Sequence, residues 1–65
     1  MAKTYYSDVT KLLTQGGFEF ARSGKGSHEM WQSRLSGKKV IVPRNLKSRH
    51  TANAILKSAG IDKRL

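Results

Sequence analysis

Leu13 is followed four residues later by Gly17 and then Phe18, and Leu56 is followed in the same way by Gly60 and Ile61. A leucine, a glycine four positions on and an apolar residue directly after it form a Schellman-type helix stop. The glycine takes a left-handed conformation that other residues resist, and the flanking apolar pair closes over the last turn. Two such stops predict two helices and confine any sheet to the residues between them. The first helix is predicted from about Ser7 to Gly16, with Ser7 as N-cap and Asp8 at the positive end of the helix dipole. Val9, Leu12 and Leu13, with Tyr5 or Tyr6, supply its apolar stripe. The second helix is predicted to start at Thr51 as N-cap and to bury Ala52, Ile55, Leu56 and Ala59.

Between the helices the period changes from helical to alternating. Phe18 and Phe20 alternate with Glu19 and Ala21, a half-buried strand pattern. Ser23-Gly24-Lys25-Gly26 has the composition and length of a hairpin turn. A second strand is predicted from about Ser27 to Arg34, a turn over Leu35-Ser36-Gly37-Lys38, and a third strand from Lys39 to Val42. Pro43 ends that strand because it cannot donate to a ladder, and Arg44 to His50 reads as a basic loop. The expected fold is α+β in the order α-β-β-β-α, one domain over residues 1–65. It has a three-stranded antiparallel sheet with both helices on one face and the other face open. This arrangement resembles that of double-stranded-RNA-binding domains. One of Met30 and Trp31 must point inward, and alternation does not say which.

Charge narrows the partners. Thirteen Lys and Arg oppose four Asp and Glu, a net +9. From Met30 to Ile61 there is no acid, while Arg34, Lys38, Lys39, Arg44, Lys47, Arg49 and Lys57 all fall there. Unopposed cations repel one another unless an anion meets them, with nucleic acid the first candidate and an acidic protein the second. The lack of cysteine excludes disulfides and thiolate metal sites. No apolar run approaches the roughly 20 residues of a membrane span, and Met1-Ala2-Lys3-Thr4-Tyr5-Tyr6 leads into no hydrophobic stretch. A cytoplasmic protein with no membrane partner is expected.

The chemistry concentrates at Gly24-Lys25-Gly26-Ser27-His28. Histidine is the side chain whose unperturbed pKa lies near neutrality, and this one follows a glycine turn flanked by cations. RNA carries its own nucleophile, the 2′-hydroxyl. Its cleavage needs a base for that proton, an acid for the departing 5′-oxygen, and positive charge for the phosphorane-like transition state. His28 can serve as base or acid, and Lys25 and Arg22 can supply charge. Gly24 and Gly26 allow close approach of the backbone to a phosphate, and Ser27 can orient the imidazole or donate to the phosphate. Lys38, Lys39, Arg44, Lys47 and Arg49 read as a salt-sensitive track for the RNA backbone. His50 is a second candidate proton carrier, although a polar residue beside a helix cap is ordinary. An exposed Trp31 could stack on a base. His28, Glu29, His50, Asp8, Glu19 and Asp62 have no recognisable metal-ligand spacing, so neither metal nor cofactor is expected.

The chain resembles the HicA-type toxins of bacterial toxin–antitoxin systems. The resemblance rests on Leu12-Leu13 with Gly17-Phe18, on Gly26-Ser27-His28, on Val40-Ile41-Val42-Pro43, and on Thr51 with Ile55-Leu56-Lys57-Ser58-Ala59-Gly60. It implies an mRNA-cleaving endoribonuclease with His28 as the catalytic residue. It also implies a HicB-type antitoxin, acidic where it meets the basic surface. Many members carry a second histidine directly after the first; this chain has Glu29, which strand alternation turns to the opposite face. The rival expectations are a non-catalytic double-stranded-RNA-binding module and a DNA-binding accessory protein, neither of which requires the histidine.

Overall fold

The computed structural model describes residues 4–65, so Met1, Ala2 and Lys3 of the predicted non-signal start lie outside the described residues. Helix α1 spans Tyr6–Gln15, strands β1, β2 and β3 span Phe18–Ser23, His28–Ser33 and Lys39–Pro43, and helix α2 spans Arg49–Ser58. The sheet is antiparallel in the order β1-β2-β3. This is the α+β, α-β-β-β-α arrangement expected from the sequence. No helix among the described residues is long and apolar enough to cross a membrane.

Both helix stops form where predicted. Gly17 and Gly60 have φ of 90° and 75°. At the second stop the Gly60 N–H donates to the Lys57 carbonyl (3.0 Å) and the Ile61 N–H to the Leu56 carbonyl (2.9 Å), the full Schellman pair. At the first, the Gly17 N–H donates to the Thr14 carbonyl at 3.1 Å.

Both predicted starts need correction. Ser7 lies inside α1 and Tyr5 holds the cap position with no side-chain cap bond. A tertiary contact anchors this end instead: the Tyr5 N–H donates to the Leu46 carbonyl at 2.7 Å. Thr51 likewise lies inside α2. The N-cap is Ser48, whose backbone is extended and whose Oγ accepts the Thr51 N–H at 3.2 Å. Arg49 and His50 therefore belong to the first turn of α2 rather than to a loop.

One face of the sheet carries the core. Val9 and Leu13 of α1, Ala52 and Leu56 of α2, Phe18, Trp31, Val40 and Val42 of the strands, and Leu46 form one buried cluster. The register resolves the choice in β2: Trp31 points inward, leaving Met30 on the open face. Burial removes Trp31 from any base-stacking role. Phe20 departs from the predicted half-buried pattern and is 49% exposed. It lies opposite Trp31 on the outer strand and meets that indole edge-on, with 6.2 Å between ring centroids.

A bulge in β1 has a larger consequence. Phe20 pairs with Trp31, but Arg22 rather than Ala21 pairs with Met30, so Ala21 is the extra residue. Strict alternation would put Arg22 on the covered face with Phe18 and Phe20. The inserted residue moves it to the open face beside Met30, since directly paired residues share a face.

Candidate active site

His28 is the first residue of β2 and faces away from the helices, exposed on the open side of the sheet. Its backbone closes the turn: the Gly24 N–H donates to the His28 carbonyl (2.8 Å), and the His28 N–H to the Lys25 carbonyl (3.2 Å). The Gly24 amide is therefore used within the turn. Gly26 stands at φ 61°, and a β-carbon there would meet nothing within 4 Å. Left-handed backbone and empty surroundings leave the turn accessible to an incoming group.

The end of β3 returns to this turn because His28 pairs with Pro43. The Arg44 N–H donates to the Ser27 carbonyl at 2.8 Å, and Arg44 Nη2 donates to the Gly26 carbonyl at 3.3 Å. Ser27 Oγ donates to Asn45 Oδ1 at 3.1 Å. The glycine turn is thus stapled to the loop that follows β3, and one nitrogen of the Arg44 guanidinium reaches its Gly26 carbonyl. Ser27 is expected to orient the imidazole or donate to a phosphate; its observed side-chain contact is with Asn45 instead.

Behind the site, on the covered side, Glu29 is only 7% exposed. Its Oε1 accepts from Tyr6 Oη at 2.7 Å and from Trp31 Nε1 at 3.2 Å. Its Oε2 lies 3.8 Å from Arg44 Nε. Three partners compensate the burial of this carboxylate. The Tyr6 phenol is pushed above its ordinary value, first by donating to Glu29, then by burial and by the carboxylate charge, with Arg44 opposing.

The sign of that shift sets a test. A raised phenol pKa favours the neutral form in the folded state, so its stabilisation is complete below about pH 10 and is lost as pH rises through the higher folded value. Tyr6→Phe is expected to lose about 1–3 kcal/mol at neutral pH, the usual cost of leaving a buried charged acceptor one donor short. Urea denaturation of both proteins at pH 7 and at rising alkaline pH checks this. The gap should be constant up to about pH 10 and narrow above it; a gap that widens instead would contradict the assignment.

The remaining cations are spread over several elements. Arg22 joins the His28 face through the bulge, and Lys25 is exposed within the turn. Lys38 and Lys39 stand at the other end of β3: Lys39 pairs with Gln32, four residues along the strand from the His28 pair, about 13 Å at strand rise. Lys47 lies in the loop before α2 and Arg49 in that helix's first turn. His50 lines a groove of about 660 Å³ with Asn53, Lys57, Asp62, Lys63 and Arg64, and no residue of the glycine turn takes part in it. Among the described residues, no three of His, Cys, Asp and Glu gather as a metal site.

The sequence alone did not reveal Tyr6, Asn45 or the function of Glu29. For Asn45 a signal existed. In a meander the residues just after the third strand return to the first hairpin, and Pro43 marks where that strand ends. The sequence profile of the family described as HicA toxin of bacterial toxin-antitoxin matches residues 6–61, which include every helix and strand and the whole turn. The chain belongs to the HicA toxin family. Neither the curated proteins nor the solved structures provide a match. Family membership makes it the toxin of a toxin–antitoxin pair, within a family of mRNA-cleaving toxins whose antitoxin partner is HicB. In this HicA toxin Glu29 and His28 lie on opposite faces of β2, so the residue after the histidine does not share its exposed face.

Proposed function

We propose that this chain acts as a single-domain, metal-independent endoribonuclease with His28 as its general acid or base. One observation carries the proposal: the imidazole stands exposed beside a turn whose Gly26 carbonyl accepts from Arg44 Nη2. In the reaction the ribose 2′-oxygen loses its proton and attacks phosphorus, and the bond from phosphorus to the 5′-oxygen breaks with a proton delivered to that oxygen. His28 serves one of these transfers. Arg44, Lys25 and Arg22 stabilise the negative charge that grows on the phosphate. Gly26 and Ser27 shape the turn that receives it, while Lys38, Lys39, Lys47 and Arg49 attract the backbone on either side.

A HicB-type antitoxin would neutralise this toxin by covering the His28 face with acidic groups. Because it binds only the folded toxin, it would also stabilise so small a domain.

The deciding experiment is incubation of the purified protein with single-stranded RNA in excess chelator. Scission leaving 2′,3′-cyclic phosphate and 5′-hydroxyl ends is expected. Cutting that returns only when a divalent metal is added would overturn the mechanism. Tight binding of duplex RNA with no scission would favour the non-catalytic module.

A further inference from the structure

We infer that Glu29 is a positioning residue: from the covered side of the sheet it holds the Arg44 guanidinium over the Gly24–Ser27 turn, where that charge meets the scissile phosphate. The phosphate in this statement rests on the nuclease proposal; the holding rests on geometry. Glu29 directly follows His28 but faces the opposite way, so it takes no part in proton transfer. A buried carboxylate is costly without partners. Here Tyr6 of α1 and Trp31 of β2 occupy one oxygen, and the other lies toward Arg44 Nε at 3.8 Å. With Nε turned to Glu29, Nη2 reaches the Gly26 carbonyl at 3.3 Å. The guanidinium thus bridges a buried acid and the exposed turn.

The physical benefit is preorganisation. An arginine on an exposed loop samples many rotamers, and ordering it only when the transition state forms would consume part of its electrostatic gain. A charge already aimed at the reacting phosphate needs no such reorganisation. The Tyr6 and Trp31 hydrogen bonds keep the carboxylate from following Arg44 outward, so the acid acts as the fixed end of the pair. Glu29 acts through Arg44 and touches no substrate.

The test is a double-mutant cycle. Glu29→Gln keeps the size and an acceptor oxygen for Tyr6 and Trp31 but removes the charge that attracts Arg44. It is expected to lower kcat for RNA cleavage about tenfold to a hundredfold, less than the loss typical of a deleted transition-state donor, with KM nearly unchanged, measured at a temperature well below the melt of both proteins. In an Arg44→Ala background the same substitution should add nothing, since the residue it positions is absent. An equal loss in both backgrounds would overturn the inference. A second readout does not depend on cutting. The Arg44 Nε–H resonance should report a more restricted guanidinium in the wild-type chain than in Glu29→Gln, read as a higher order parameter. An unchanged order parameter counts against the positioning role, whereas absence of cutting by the wild-type chain counts against the nuclease proposal.

Discussion

His28→Ala is expected to slow RNA cleavage by about 10²–10⁴-fold, the usual contribution of a positioned acid or base, without altering the fold. The side chain is exposed, and its backbone bonds to Gly24 and Lys25 survive truncation. The circular dichroism and melting temperature should therefore match the wild type. The cations are untouched, so RNA binding at low salt should persist with the same salt dependence. The informative result is this separation: binding retained, cutting lost. A His28→Ala protein that cuts within a few-fold of the wild-type rate would remove His28 from the chemistry. A protein that had lost both binding and fold would give the residue a structural duty that its exposure argues against. His50→Ala provides the comparison, because His50 sits in the groove beside α2 away from the turn and its loss should leave most of the cleavage rate intact.

Leu56→Ala is expected to have the largest effect on stability. Leu56 is fully buried and belongs to the single core cluster, and Ile61, on the far side of the Gly60 stop, packs against that cluster. Truncating a buried leucine costs about 2–5 kcal/mol in lost transfer energy and residual cavity. Sixty-five residues amount to only about 3–10 kcal/mol in total at the usual stability per residue. The substitution should therefore lower the melting temperature by at least about 8 °C, given shifts of about 4–8 °C per kcal/mol at this size. Leu56→Met, which conserves volume, should cost less than about 1.5 kcal/mol. A Leu56→Ala melt within about 3 °C of wild type would mean that the cavity collapses or that the cluster is not what holds the helices down. Saturating antitoxin should recover part of the loss, about 2.7 kcal/mol at a hundred times Kd.

These two residues also mark the limits of inference from sequence. Leu56 and the stop after it were legible because a Schellman ending is local: six consecutive residues specify the left-handed glycine and its apolar clasp. The hairpin turn and the proline stop of β3 are equally local, which is why the order α-β-β-β-α and the place of His28 just after the glycine turn could be expected. The helix starts were not legible. Ser7 and Thr51 each have a good capping side chain, but the chain enters α1 through the Tyr5 bond to Leu46 and enters α2 from Ser48. A long-range contact at one end and a second competent serine at the other outweighed the local preference.

Alone, the sequence determined the number and order of the elements, the covered and open faces of the sheet in outline, and the dense positive charge, because each depends on backbone preferences or composition within a few residues. Tertiary structure alone decided that Trp31 rather than Met30 turns inward, that the Ala21 bulge carries Arg22 to the histidine's face, and that Glu29 meets Tyr6 and Arg44. Those outcomes depend on register and on burial against distant elements. A shift of one residue in a strand exchanges its two faces, and nothing within the strand itself chooses between them.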